Sequence, residues 1–254
     1  MNPARFRAAT GVSTHEGQVR PFNEDSWYAS DEKGLWAVAD GMGGHEHGEW
    51  ASAVVVQELD ALILAPDFTQ ACAEVAEALH RANRTIFAEG TARGSQMGTT
   101  AVLLFVRDGR FAILWVGDSR AYLLRGGQMV QLSRDHTQVQ EMVDRGLLEP
   151  HEAEGHPMGH ILARAVGVIA ELEVDVIQDE VEAGDTFLLC SDGLHGVVED
   201  DEIVRLLGGS LPEHIVSELV NEALDRGAPD NVTTVAVRFG EPTLLAFART
   251  ESFS

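Results

Sequence analysis

Four aspartates stand where apolar, strand-like segments stop or start. Asp40 follows LWAVA, Asp118 follows FAILWVG, Asp192 follows TFLLCS, and Asp230 stands two residues before VTTVAVRF. If those segments are antiparallel neighbours, the end of one lies beside the start of the next, and all four carboxylates can gather on one rim of the sheets. Carboxylates so gathered repel each other. Hard divalent cations, which favour carboxylate, carbonyl and water oxygens, convert that repulsion into binding. An isolated Asp-Gly pair reads as a turn, and ADGMGG, SDGLHG or VGDSR alone would be no more than that. A turn requirement does not explain why each member of the set carries the same acid. GQVRPFNEDSWY adds Glu24 and Asp25 together with Arg20, whose planar fork suits phosphate oxygens. Taken alone, that stretch reads as an ordinary surface ion pair on an edge strand.

The elements that must position these side chains can be read from the same sequence. Segments 35–39, 99–106, 110–116, 121–125, 186–190 and 232–239 are rich in β-branched and aromatic residues and read as strands. Asp108-Gly109 and Gly126-Gly127 are hairpin turns, since both central positions of a tight turn need positive φ. The middle of the chain therefore reads as an antiparallel meander. Apolar residues three and four apart predict helices over 48–64, 67–90 and 212–227, with Gly227 as a C-terminal stop and the first two paired antiparallel. Strands with long helices set apart from them give an α+β sandwich. Segment 133–168 is polar, contains histidines and is broken by Gly and Pro, with a short helix at TQVQEMVDRG; such an insertion reads as a binding or lid element.

Composition narrows the partners. The 254 residues are 44% hydrophobic and 23% charged, with 41 acidic against 18 basic residues and a formal charge of -23. That excess disfavours nucleic acid and anionic membrane surfaces, both of which attract basic groups. A bound cation would offset part of it locally. No apolar run approaches the roughly 18 residues of a membrane span, and MNPARFRAATGVS lacks the apolar core of a signal peptide. Cys72 and Cys190 are too few for a disulfide framework, so the expected location is a reducing cytoplasm.

VRPFNEDS, VADGMGGHEHGEWAS, MGTTAVLLFV, WVGDSRAYLLR, LSRDHT, FLLCSDGLHGVV and DNVTTVAV occur in that order between about 11 and 239. In this the chain resembles the metal-dependent serine/threonine protein phosphatases of the 2C type, in their bacterial stand-alone form. The resemblance implies a four-layer α-β-β-α sandwich around two central antiparallel sheets. It also implies one catalytic domain over 1–240, a flap at about 133–168 and a tail over 241–254. Asp40 would bridge two manganese or magnesium ions, with the Gly41 carbonyl as a further ligand and the glycines admitting the metal close to the backbone. Asp192 and Asp230 would complete the pair, and Glu24 and Asp25 would hold water on the ions. Asp118 would bind a third, weaker ion with Asp192, and Arg20 would grip the substrate phosphate. The implied reaction is hydrolysis of phosphoserine and phosphothreonine by a hydroxide shared between the ions, without a phosphoenzyme. Neither cysteine is then needed as a nucleophile. The implied partners are phosphoproteins, a Ser/Thr kinase and its substrates, met by a monomer.

Two positions depart from the resembled pattern. Met42 stands where some relatives have a histidine proposed to protonate the leaving alkoxide, which leaves water or a neighbour such as His45. Gly196 stands where relatives often carry an aspartate, which implies a weaker third ion. Two further motifs mislead. HEH at 45–47 lacks the cysteine or spaced histidine partners of a zinc site and reads as a solvated loop. In HEAEGH the histidines are five apart, not the four that would share a helix face. As part of the implied flap, His156 and His160 are candidates for substrate contact. The rival functions are an inactive relative that binds phosphoproteins, which should have lost its carboxylates, and a different metal hydrolase on a similar sandwich.

Overall fold

The computed structural model describes residues 6–44, 46–153, 156–209 and 211–241; His45 and the expected tail beyond 241 lie outside them. The chain begins β1 (Arg7–His15), β2 (Asp25–Ser30), β3 (Leu35–Met42), α1 (Glu46–Asp60) and α2 (Phe68–Arg93). There follow β4 (Gly98–Thr99), β5 (Ala101–Arg107), β6 (Arg110–Val116), β7 (Arg120–Arg125), β8 (Gln128–Gln131), α3 (Gln138–Asp144) and α4 (Pro150–Ala153). The last elements are β9 (Asp175–Glu180), β10 (Thr186–Cys190), α5 (Asp192–His195), α6 (Asp200–Leu207), α7 (Pro212–Asp225) and β11 (Val232–Gly240).

The strands form two antiparallel sheets, ordered β1-β11-β10-β7-β8 and β2-β3-β5-β6-β9, with β4 paired to the end of β3. Alternation along each central strand divides its side chains between two cores. Trp36 and Val38, Val102 and Leu104, Phe187 and Leu189, and Val235 and Val237 pack between the sheets. From the alternate positions, Leu35, Ala37, Leu103 and Phe105 meet Val55, Leu59, Val75 and Leu79 of α1 and α2. Tyr122, Leu188 and Ala236 meet Ile203 of α6 and Ile215 and Leu219 of α7. Helix, sheet, sheet, helix is the four-layer order implied by the resemblance.

Several expectations need correction. The middle of the chain is not one meander. β5 and β6 close a hairpin through Asp108 (φ 53) and Gly109 (φ 76) in one sheet, whereas β7 and β8 pair in the other. The segment 117–119 carries the chain between them, so Asp118 sits at a crossover. Strand 99–106 is interrupted at Thr100, whose N–H and hydroxyl turn to the Asp40 backbone. Helix α1 starts at Glu46 and ends at Asp60, short of Leu64. Helix α2 runs past Gly90, capped by the Asp67 carboxylate on Gln70 N and by left-handed Gly94.

This topology fixes the rim. β3 and β6 both run opposite to β5, so they end at the same side. β11 starts beside the end of β10, and Asp25 at the head of β2 stands in register with Asp40.

Candidate active site

Arg20, Glu24, Asp40, Asp118, Asp192 and Asp230 line one cleft of about 620 Å³ at that rim. The convergence read from the sequence is therefore present in the fold. Asp25 is buried and does not line the cleft; its Oδ2 accepts from Ser191 Oγ at 2.8 Å.

Each carboxylate is placed by its backbone. Asp40 N–H donates to Thr100 Oγ1 at 3.0 Å, and Asp40 O accepts from Thr99 Oγ1 and Thr100 N. Asn231 anchors the loop before β2: its Oδ1 accepts from Glu24 N at 2.8 Å, and its Nδ2 donates to Glu16 O and Phe22 O. Arg20 Nη2 donates to Asp230 Oδ2 at 2.6 Å. Thr99, Thr100, Ser191 and Asn231 were not singled out in the sequence, although Ser191 and Asn231 adjoin Asp192 and Asp230 and the two threonines sit in MGTTAVLLFV. A hydroxyl or amide next to one of the acids could have pointed to Ser191 and Asn231; nothing in the sequence near Thr99 and Thr100 does so.

Packing within the chain gives Gly41 and Gly48 a reason of their own. A Cβ on Gly41 would lie 2.2 Å from Gly48 O and 2.6 Å from Glu24 O, and one on Gly48 would lie 2.1 Å from Glu24 Oε2. Close approach is required, but it is α1 and the Glu24 loop that approach. Likewise Gly193 has room only for hydrogen, because a Cβ would meet Asn231 O at 1.9 Å.

Burial dominates the electrostatics. It pushes Asp40 and Asp118 well above the ordinary carboxylate range, with neighbouring aspartates adding to the effect. Burial likewise raises Asp192, helped by Asp230. It lifts Asp25 to about 7, against hydrogen bonds from Thr233 and Ser191 that pull the other way. Asp25 Oδ1 and Asp192 Oδ1 are buried without a hydrogen-bond partner, which is costly for an acceptor. No group of three or more His, Cys, Asp or Glu side chains among the described residues forms a ready-made ion cage. Arg20 engages one of the carboxylates, Asp230. The donor set is nevertheless all-oxygen and anionic, with two buried oxygens lacking partners, and that fits hard divalent cations.

The other candidates separate clearly. Met42 lines the cleft with a side chain that has no proton to give, and Gly196 offers no side chain beyond Asp192. His160 lines the cleft; His156 instead uses Nδ1 to accept from Met158 N in its own turn. His47 belongs to the first turn of α1, not to a solvated loop, because that helix starts two residues earlier than read. His151 lies in α4. Cys190 is a core residue of β10, as expected, and burial pushes its thiol up to about 12.

A family model described as Protein phosphatase 2C matches residues 14–226. The serine/threonine protein phosphatase PstP of Mycobacterium tuberculosis is 40% identical over 223 residues, which cover 86% of this chain and 42% of that protein. The chain thus spans less than half the length of that curated relative. Among solved structures, PppA of Pseudomonas aeruginosa, a key regulatory component of its T6SS, matches with a TM-score of 0.86 at 40% identity. The match covers 91% of this chain and 97% of that one. The catalytic domain of PstP in complex with two manganese ions matches with a TM-score of 0.83 at 35% identity, over 93% and 100% of the two chains. The chain belongs to the protein phosphatase 2C family. No helix among the described residues is long and apolar enough to cross a membrane.

Proposed function

We propose that the chain hydrolyses phosphoserine and phosphothreonine in proteins with the help of two manganese or magnesium ions. The observation that carries this reading is the single cleft holding Arg20 and five carboxylates, in a chain of this family. Asp40, the Gly41 carbonyl, Asp192 and Asp230 hold the ions. Glu24 and Asp25 stand behind them as hydrogen-bond acceptors, and Asp118 with Asp192 holds a third, weaker ion. When bound, the ions supply an activated water and positive charge against the phosphoryl oxygens.

The chain's own residues do the rest. Arg20 uses one of its donors on Asp230 and presents the remaining fork to a phosphate at the mouth of the cleft. That contact fixes the phosphoryl group over the carboxylate floor and stabilises its charge as the ester bond breaks. Met97, Leu162 and Val168 form an apolar wall that keeps bulk water from one side. The wall supports the reading of 133–168 as a flap within a single domain over 1–240. In the cell the enzyme reverses a Ser/Thr kinase and works as a monomer. The two buried free cysteines support a cytoplasmic location.

The test is phosphate release from a phosphothreonine peptide, in manganese and then in excess chelator, for wild type and Asp40→Asn. Turnover that needs manganese and drops at least ~100-fold in the variant supports the reading. A folded, manganese-loaded wild type without turnover refutes it.

A further inference from the structure

Two histidines that no catalytic role absorbs grip the same short turn. Gly117-Asp118 is the crossover between the sheets, and Gly117 holds φ at +105 with the Thr100 side chain 2.7 Å from where a Cβ would be. From one side, His136 Nδ1 accepts from Gly117 N–H at 3.1 Å, while His136 N–H donates to Gly117 O at 2.9 Å. From the other side, His195 Nε2 lies 3.0 Å from Asp118 O. Arg120 closes the frame with a bidentate contact to Asp135, the residue before His136.

These contacts dictate the proton positions. A backbone N–H needs an acceptor, so Nδ1 of His136 carries no proton. Its proton sits on Nε2, 3.2 Å from Asp175 Oδ2, a carboxylate that also accepts from Arg164 of the cleft wall at 2.8 Å. A carbonyl needs a donor, so His195 carries its proton on Nε2. Neither imidazole lines the cleft, and His136 makes its bond from a buried position and His195 from a half-buried one.

We infer that His136 and His195 form a two-imidazole clamp whose hydrogen bonds to the Gly117-Asp118 peptides hold the Asp118 carboxylate in place for the weaker third ion. They are positioning residues, and the metal half of the inference rests on the function proposed above. Backbone partners of this kind orient a ligand that would otherwise wander, and losing one typically costs 10–100-fold in metal affinity. His195 carries added weight in this chain, because Gly196 leaves Asp118 and Asp192 to hold the third ion without the aspartate that relatives often provide.

Isosteric replacement separates the clamp from mere packing. An Asn side chain places an acceptor where His Nδ1 stands, and Gln places a donor where His Nε2 stands. His136→Asn and His195→Gln should therefore keep the clamp, whereas His136→Gln and His195→Asn should lose it. The first readout is the tautomer of each imidazole in the metal-free protein, by nitrogen-15 NMR. The second is manganese binding by equilibrium dialysis in all five proteins, with the third ion distinguished from the two core ions by its weaker dissociation constant.

Protonated Nε2 and bare Nδ1 at His136, with Nε2–H at His195, support the clamp. So do third-ion dissociation constants within about 3-fold of wild type for the isosteric pair and at least ~10-fold higher for the other pair, with the core ions unmoved. A proton on Nδ1 of His136, or equal effects of Asn and Gln at both positions, overturns it. If the wild type binds no manganese at all, the proposed function fails and the metal half of the inference falls with it. The tautomers still decide whether the clamp exists.

Discussion

Gly41→Ala should separate close packing from conformational freedom as the reason for a glycine beside Asp40. Gly41 has no left-handed backbone to lose; its constraint is space. The new Cβ would stand 2.2 Å from Gly48 O, 2.4 Å from Gly48 C and 2.6 Å from Glu24 O, all backbone atoms with no rotamer to escape into. Ordinary contact starts at 3.4 Å, so the head of α1 and the end of β3 must part by roughly 1 Å. Overpacking of that kind costs about 1–3 kcal/mol, or roughly 2–12 °C in melting temperature for a domain of this size. The displaced segment carries Asp40, and a misplacement of about 1 Å can cost ~100-fold in rate. The control is Gly126→Ala, on a hairpin at the opposite rim, with φ +58 and nothing within 4 Å of the added carbon. Its left-handed backbone costs about 1–2 kcal/mol, with no effect on rate. Urea denaturation gives the stabilities, and kcat/KM on a phosphothreonine peptide in saturating manganese gives the rates. If Gly41→Ala keeps wild-type kcat/KM, or Gly126→Ala loses as much, the packing argument is wrong.

Arg20→Lys should lower kcat/KM by roughly 10-fold or more while shifting stability by less than ~1 kcal/mol. The lost fork matters to a phosphate, and the exposed Arg20–Asp230 pair contributes little to folding; a large stability loss would contradict this. Ser191→Ala should cost about 1–3 kcal/mol in urea denaturation, because Ser191 Oγ both donates to Asp25 and accepts from Thr233 N, and both groups are buried. A change below ~0.5 kcal/mol would show that those groups find other partners. Metal-free protein should gain stability on acidification. The folded pKa of Asp25 is raised to about 7 from 3.8, and Asp40, Asp118 and Asp192 move the same way, so the folded state holds protons that the unfolded state releases. The penalty is full above pH 7 and is relieved as pH falls through that value. Melting in chelator should therefore rise between pH 8 and pH 5.5; a fall over that range would reverse the sign.

What was legible in the sequence follows burial. All six strands read from the sequence are the interior members of the two sheets, β3, β5, β6, β7, β10 and β11, which are covered on both faces and so read as apolar runs. The strands outside that set, β1, β2, β8 and β9, are the four sheet edges, of which only β2 was touched, by the edge-strand reading of GQVRPFNEDSWY. β8 and β9 in particular keep mostly polar, exposed residues, and their pairing is decided by neighbours distant in the chain. Helix α6 was missed because DDEIVRLL is too short to establish a period, although Ile203, Leu206 and Leu207 are buried. The carboxylates were legible because an acid repeated at strand ends is visible without knowing the topology. The residues that fix them were not. Asn231 bonds Glu24, 207 positions away, and Ser191 bonds Asp25, 166 positions away. The switch between sheets at Gly117 was hidden for the same reason, since nothing in VGDS says which sheet receives the next strand.

Counting bound manganese tests most directly whether the clustered carboxylates hold cations. Equilibrium dialysis of wild type and Asp40→Asn, with folding checked by circular dichroism, should find two tightly held ions in the wild type. The variant should hold neither at the concentration that saturates wild type. Two ions retained in a folded Asp40→Asn, or none in the wild type, would contradict the assignment of this rim as a metal centre.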